Sequence, residues 1–99
     1  MRRKHTCEND VKADVKELLT KYGWTHWANS AGPHSVPGIE DRSALRRGMF
    51  LAVESKFGKR ELTVLQQNRL DAVAAAGGYV WVARETNLEA FEMLLKNLQ

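Results

Sequence analysis

Hydrophobic and polar residues alternate along this chain in blocks, and the spacing within each block predicts one kind of secondary structure. In residues 7–22 the apolar positions recur three or four residues apart, which is typical of an amphipathic helix. These positions are Val11, Val15, Leu18, Leu19 and Tyr22. Gly23 is a natural stop for such a helix, and Thr6 is positioned to cap its start. The pattern therefore predicts a first helix over residues 7–22.

The middle of the chain favours strands. Residues 49–53 are apolar at every position, which predicts a strand covered on both faces, and a turn at Arg46-Arg47-Gly48 would pair it with residues 41–45. Residues 24–27 have a strand-like composition. Between them, residues 28–39 form a loop rich in Gly, Pro, Ser and Asn, and a loop of this length is either mobile or functional.

The last third predicts a helix, a strand and a final helix. Thr63 and Gln66 have the spacing of a capping box and open a helix that runs to Ala76. Residues 79–83 read as a second apolar strand, and another capping-box pattern, Thr86 to Glu89, opens the last helix. The order αβββαβα favours an α/β fold in which helices flank a mixed β-sheet.

Composition narrows the class of protein. A chain of 99 residues that is 43% hydrophobic suits one domain spanning residues 1–99. Its net charge of +3 mildly favours a polyanionic partner. The single cysteine, Cys7, excludes an internal disulfide, and no apolar run is long enough for a membrane span. We therefore expect a soluble, cytoplasmic protein without a membrane partner.

Candidate chemistry lies at the end of the central strand. Glu54 and Lys56 project to one face of that strand, and Asp41 lies across the predicted turn. Two carboxylates, with the Ser55 carbonyl as a further ligand, would suit Mg²⁺ or Mn²⁺ and could support phosphodiester hydrolysis. The simpler interpretation is a structural Glu54–Lys56 ion pair with Asp41 as a turn acid, and the isolated residues favour it.

Other residue groups carry weaker signals. The same acid-x-Lys spacing occurs at Asp10 and Asp14 in the first helix, where residues two apart do not face each other. A basic set on the hairpin and the next loop could contact phosphates, although a solvated turn is its default explanation. This set is Arg42, Arg46, Arg47, Lys59 and Arg60.

Taken together, four segments resemble the VRR-NUC domain of the PD-(D/E)xK nuclease superfamily. They are Gly38-Ile39-Glu40-Asp41-Arg42, residues 50–56, residues 62–66 and Ala76-Gly77-Gly78. The order and the gaps match, and the first helix with Glu8 also resembles that of the family. The resemblance implies a restriction-endonuclease-like core and, at this length, the short standalone type found in phage and mobile elements of bacteria.

The resemblance also implies roles for individual residues. Asp41, Glu54, the Ser55 carbonyl and Glu8 would bind Mg²⁺ or Mn²⁺, Lys56 would act on the attacking water, and Gln66 would complete the site. Gln66 therefore has two competing interpretations, as a helix cap and as a site residue. Glu8 also has two, because a negative charge in the first turn of a helix is favoured by the helix dipole without any role in a site. The family often has proline before the motif acid, whereas this chain has Glu40, which should face away from Asp41 unless the strand register slips.

These observations lead to a functional hypothesis and two alternatives. The resemblance implies a Mg²⁺-dependent DNA endonuclease that acts on branched or Holliday-junction DNA. Because one chain holds one site, symmetric cutting of a junction would require a homodimer. The alternatives are a non-catalytic nucleic-acid-binding module on the same fold and a protein-interaction domain.

Overall fold

Three helices and four strands make up the part of the chain that the computed structural model describes, residues 4–30 and 32–99. The helices are α1 (Glu8–Lys21), α2 (Val64–Ala75) and α3 (Leu88–Asn97), and the strands are β1 (Thr25–Ala28), β2 (Arg42–Arg46), β3 (Met49–Ser55) and β4 (Tyr79–Ala83). The predicted order αβββαβα is confirmed.

The strands form one mixed sheet in the order β1-β2-β3-β4. The pairs β1–β2 and β2–β3 are antiparallel, whereas β3 and β4 are parallel and are connected through α2. A parallel pair needs such a crossover because its strands run in the same direction. The predicted α/β class with a mixed sheet is therefore confirmed.

Helices cover both faces of the sheet. On one face, α1 and α3 pack against Leu51 and Val53 of β3, and Phe91 is fully buried there. On the other face, α2 places Leu70 and Val73 over Ala52. Alternate residues of β3 thus enter two separate cores, which explains why the strand carries apolar side chains on both of its faces.

A two-residue turn fixes the register of the central hairpin. Arg47 and Gly48 both have positive φ, 50° and 78°, as expected for the turn type whose twist matches antiparallel strands. With this turn, Arg42 pairs with Val53 across the two strands. Asp41, immediately before β2, is thereby brought opposite Glu54.

Two predicted helix caps are wrong. The backbone N–H and hydroxyl of Thr6 donate to Asp10 Oδ2, and α1 begins one residue later with Cys7 as its N-cap. Asn87, rather than Thr86, is the N-cap of α3, and its side chain accepts from the Arg84 N–H and donates to the Val82 carbonyl. Neither Cys7 nor Asn87 caps its helix with a side-chain hydrogen bond.

The tryptophans of the first strand region divide between the core and the surface. Trp24 is buried in the core beneath α1, whereas Trp27 is 42% exposed. Among residues 4–30 and 32–99, none of the helices is long and apolar enough to cross a bilayer.

The loop before β2 is docked on the start of α2 through Gly38. This residue has φ of 69°, and a methyl group on its Cα would lie 2.3 Å from the carbonyl carbon and oxygen of Leu65. Only glycine permits both the left-handed backbone and this close approach. The position of the loop therefore depends on the absence of a Cβ atom at Gly38.

We expect Gly38→Ala to lower the free energy of unfolding by roughly 2–3 kcal/mol, since it adds a backbone clash to an unfavourable φ. Gly58→Ala is the matched control, because Gly58 has a similar φ of 64° and open space around its Cα. That control should lose about 1 kcal/mol. Urea unfolding of wild type, Gly38→Ala and Gly58→Ala measures the two losses in the free energy of unfolding. Equal losses in the two variants would contradict the close packing of the loop against α2.

Candidate active site

Asp41 and Glu54 are interlocked through each other's backbone. The N–H of Asp41 donates to Glu54 Oε1 at 3.1 Å, and the N–H of Ser55 donates to Asp41 Oδ2 at 2.8 Å. Each carboxylate is therefore held by the strand that carries the other one. The hairpin register brings the two predicted acids together, as the sequence predicts, and fixes one oxygen of each.

Gln66 connects this pair to α2. Its Nε2 donates to Glu54 Oε2 at 3.0 Å, while its Oε1 accepts from the N–H of Thr63 at 3.0 Å. The Thr63 hydroxyl in turn accepts from the Gln66 N–H, which completes the predicted capping box. The two interpretations of Gln66 do not compete, because the two ends of one amide serve them separately.

Lys56 is buried beside Glu54. Its Nζ lies 3.8 Å from Glu54 Oε2, and its side chain is 5% exposed. The backbone N–H of Lys56 donates to the Ala83 carbonyl, which extends the pairing between β3 and β4 by one residue. An ammonium in this position is a compact positive charge at a place that excludes most water.

Burial, and after it the negative charge of Asp41, raise the pKa of Glu54 to about 7, although the Lys56 ammonium acts in the opposite direction. Glu8 makes a smaller contribution that also raises this pKa. The attraction of Lys56 is therefore smaller than the combined effect of burial and the neighbouring carboxylate. Perturbation of this kind is characteristic of functional carboxylates.

Glu40 faces the opposite way from Asp41, as the alternation of side chains predicts. Its buried carboxylate accepts from the Ser43 hydroxyl at 2.7 Å and from Arg69 Nε at 2.9 Å. These bonds lower the pKa of Glu40 in spite of its burial. Glu40 therefore ties β2 to α2 through Arg69, and the strand register has not slipped.

Glu8 reaches the site through an intermediary that sequence reasoning missed. Lys12 Nζ lies 3.4 Å from Glu8 Oε2 and 3.7 Å from Asp41 Oδ1. Lys12 is four residues after Glu8 on α1, and this spacing places the two side chains on one face of the helix. The i, i+4 spacing in the sequence could have indicated the pairing of Lys12 with Glu8. The contact of Lys12 with Asp41 depends on how α1 packs against the sheet.

The predicted basic set is divided between the two ends of the sheet. Arg42 follows Asp41 directly, and its Nη1 contacts His26 Nδ1 at 2.9 Å. Lys59 and Arg60 lie exposed on the loop that follows Lys56. Arg46 and Arg47 lie at the hairpin turn, away from the carboxylates, and Arg46 donates to the Gly23 carbonyl. DNA contact by these residues stays a prediction.

Two clefts meet at Asp41. One, of about 130 Å³, lies between α1 and the sheet and is lined by Lys12, Arg42 and Ser55 among others. The second, of about 450 Å³, lies under the loop of residues 32–39 and is lined on its α2 side by Gln66. Its volume is within the range of small-ligand sites. Asp41, whose side chain is 26% exposed, is thus open to both clefts.

The donor set fits a hard divalent cation. Asp41 and Glu54 supply carboxylate oxygens, which Mg²⁺ and Mn²⁺ prefer, and Mg²⁺ usually keeps several waters. Within residues 4–30 and 32–99, no group of three or more His, Cys, Asp or Glu side chains is preformed as a metal site. A ligand set of two carboxylates with a carbonyl and waters is compatible with this arrangement, and the Ser55 carbonyl and Glu8 stay predicted ligands.

Comparison with known proteins gives a structural relative. No protein-family model matches the chain, and no curated protein matches it either. Among solved structures, the chain is similar to Hjc, a Holliday junction resolvase of the archaeal hyperthermophile Archaeoglobus fulgidus. The TM-score is 0.59 and the sequence identity 21%, over 77% of this chain and 66% of the resolvase.

The likeness establishes a shared fold. The predicted restriction-endonuclease-like core, a mixed sheet flanked by helices, is confirmed by it. The match spans slightly less than two thirds of the resolvase. Fold alone does not fix activity, which has to be argued from the site.

Glu54→Gln should flatten the pH dependence of unfolding for the metal-free protein between about pH 4.5 and 7. The folded carboxyl keeps its proton up to a pKa of about 7, whereas the unfolded one ionises near 4.5. The folded state therefore binds more protons in this window, and wild-type stability falls as pH rises, by up to about 3 kcal/mol. Urea unfolding in EDTA across this window measures the free energy of unfolding of both proteins. Titrating groups that the two proteins share contribute equally, so they do not affect the difference. Parallel pH profiles would contradict the raised pKa of Glu54.

Gln66→Glu should separate the two functions of that side chain. Glutamate preserves the capping box but cannot donate to Glu54 and adds a negative charge, so we expect the metal-dependent DNA cleavage that we propose below to fall about ten- to a hundredfold. Thr63→Ala is the complementary variant, since it removes the cap at a cost of about 1 kcal/mol and leaves the Gln66–Glu54 bond in place. Equal activity losses in the two variants would show that Gln66 acts only through helix stability.

Proposed function

We propose that this chain is a metal-dependent nuclease that hydrolyses phosphodiester bonds in DNA. The observation that carries the proposal is the interlocked Asp41–Glu54 pair beside the buried Lys56 ammonium. This group lies at the end of the central strand and opens through Asp41 to two clefts. The fold is one that a Holliday junction resolvase shares.

A purely structural ion pair accounts less well for these contacts. Glu54 and Lys56 alone would form a balanced pair, but Asp41 adds a second carboxylate that raises the pKa of Glu54. Backbone hydrogen bonds hold the two acids together in spite of their repulsion. Lys12 relieves this repulsion only from a partly exposed position, 3.7 Å from Asp41 Oδ1. An arrangement that maintains such repulsion is expected where a further cation binds.

Within the proposed reaction, each residue has a defined task. A divalent cation held by Asp41 and Glu54, with the Ser55 carbonyl and Glu8, would polarise the phosphodiester and lower the pKa of a bound water. The Lys56 ammonium orients that water or neutralises the phosphate. Gln66 fixes the orientation of the Glu54 carboxylate through its Nε2 donor. Arg42, Lys59 and Arg60 would contact the DNA backbone.

Branched DNA is the proposed substrate class. Two observations support it: the similarity to a Holliday junction resolvase and the resemblance of the motifs to the VRR-NUC domain, in its short phage and mobile-element type. By the same resemblance, the products carry 5′-phosphate and 3′-hydroxyl ends. Symmetric cutting of a junction requires two sites, so we propose a two-fold homodimer as the active form.

Cleavage of end-labelled DNA tests the proposal. We expect metal-dependent nicks on a four-way junction, in preference to a flap or plain duplex, and a loss of at least about a hundredfold for Glu54→Ala and Asp41→Asn. Glu89→Ala is the control, because Glu89 is an exposed acid on α3, a helix that carries none of the proposed site residues. It removes the same charge and should keep full activity.

The assay also separates the alternatives. Salt-sensitive DNA binding without cutting in Mg²⁺ or Mn²⁺ would refute the nuclease and favour a non-catalytic nucleic-acid-binding module. Absence of DNA binding would favour a protein-interaction domain. Cutting that survives Glu54→Ala in a folded protein would place the active site elsewhere.

A further inference from the structure

Lys12 occupies a particular place on the α1 side of the site. Its ammonium bridges two carboxylates of different elements, 3.4 Å from Glu8 Oε2 and 3.7 Å from Asp41 Oδ1. Asp41 Oδ2 is already bound to the N–H of Ser55. Lys12 therefore contacts the oxygen of Asp41 that the backbone leaves available.

The exposure of Lys12 distinguishes it from Lys56. The side chain of Lys12 is 41% exposed, whereas that of Lys56 is 5% exposed. A long flexible stem with its ammonium in contact with water can leave a carboxylate at little cost. Lys56 has no comparable freedom, since it is enclosed beside Glu54. One lysine is a fixed charge and the other is a movable one.

We propose that Lys12 is a built-in counter-cation of the site, which holds Asp41 Oδ1 and Glu8 when no metal is bound and competes with a divalent cation for them. The inference rests on the proposed nuclease site, because it requires Asp41 to be a metal ligand. The ammonium neutralises part of the repulsion between the acids before metal arrives. It also raises the metal concentration at which the site fills, since the contact has to break first.

Calorimetric titration of the full chain with Mn²⁺ tests this competition. Lys12→Met keeps the apolar stem but removes the charge, and we expect it to bind Mn²⁺ about three- to tenfold more tightly than wild type. Lys16→Met is the matched control: it removes the same charge from an exposed position one turn further along α1. Its effect on affinity should stay below about twofold, because screening weakens more distant charges.

A second measurement examines the contact without metal. In EDTA, Lys12→Met should lower the Tm in the wild-type background and have a smaller effect in an Asp41→Asn background, where one partner has lost its charge. Additive effects in the two backgrounds would overturn the bridging role. This cycle does not depend on any nuclease activity.

The outcomes separate the two proposals. Mn²⁺ binding that is equal in wild type and Lys12→Met, or weaker in the variant, would overturn the competition and leave the nuclease site standing. Absence of Mn²⁺ binding in every protein would overturn the metal site, and the competition with it. Tighter binding in Lys12→Met alone, with non-additive stability in EDTA, would establish the role of Lys12.

Discussion

The reciprocal hydrogen bonds between Asp41 and the end of β3 are the constraint on which the site depends. The carboxylate of Asp41 accepts the Ser55 N–H, and the carboxylate of Glu54 accepts the Asp41 N–H. Neither acid can rotate away to relieve their repulsion without breaking a bond to the other strand. Burial disfavours the charged form of Glu54 and, together with the neighbouring charge of Asp41, raises its pKa to about 7. Fold and site are thus coupled through two backbone amides.

Helix α2 reinforces this arrangement from one side of the sheet. Gln66 binds Glu54, and Arg69, three residues later, binds Glu40. Because residues three apart lie on one face of a helix, α2 attaches to both strands that carry the acids. Its own start is stabilised by Gln66 through the capping box and is contacted by the loop at Gly38. Gln66 therefore contributes both to the stability of α2 and to the position of the Glu54 carboxylate.

Two lysines compensate the acids in different ways. Lys56 is enclosed beside Glu54, and its charge is fixed by the path of β3. Lys12 comes from α1 and contacts Asp41 from the opposite side, with much of its side chain in water. A buried charge that loses its partner is costly, whereas an exposed one returns to solvent. This difference underlies our proposals that Lys56 acts on the substrate and that Lys12 exchanges with a cation.

Local periodicity and turn chemistry act over a few residues, and they were sufficient to predict the elements and the proximity of Asp41 to Glu54. The apolar run of β3 and the turn at Arg46-Arg47-Gly48 predict the strand pairing, and that pairing brings Asp41 to Glu54. The Thr63–Gln66 cap predicts the start of α2. Other contacts of the candidate site depend on how the helices pack in the tertiary structure. The contact of Lys12 with Asp41 depends on the packing of α1, the dual use of Gln66 on the position of α2, and the burial of Glu40 on Arg69. These contacts join residues that are distant in the chain, and no local pattern encodes the distance between them.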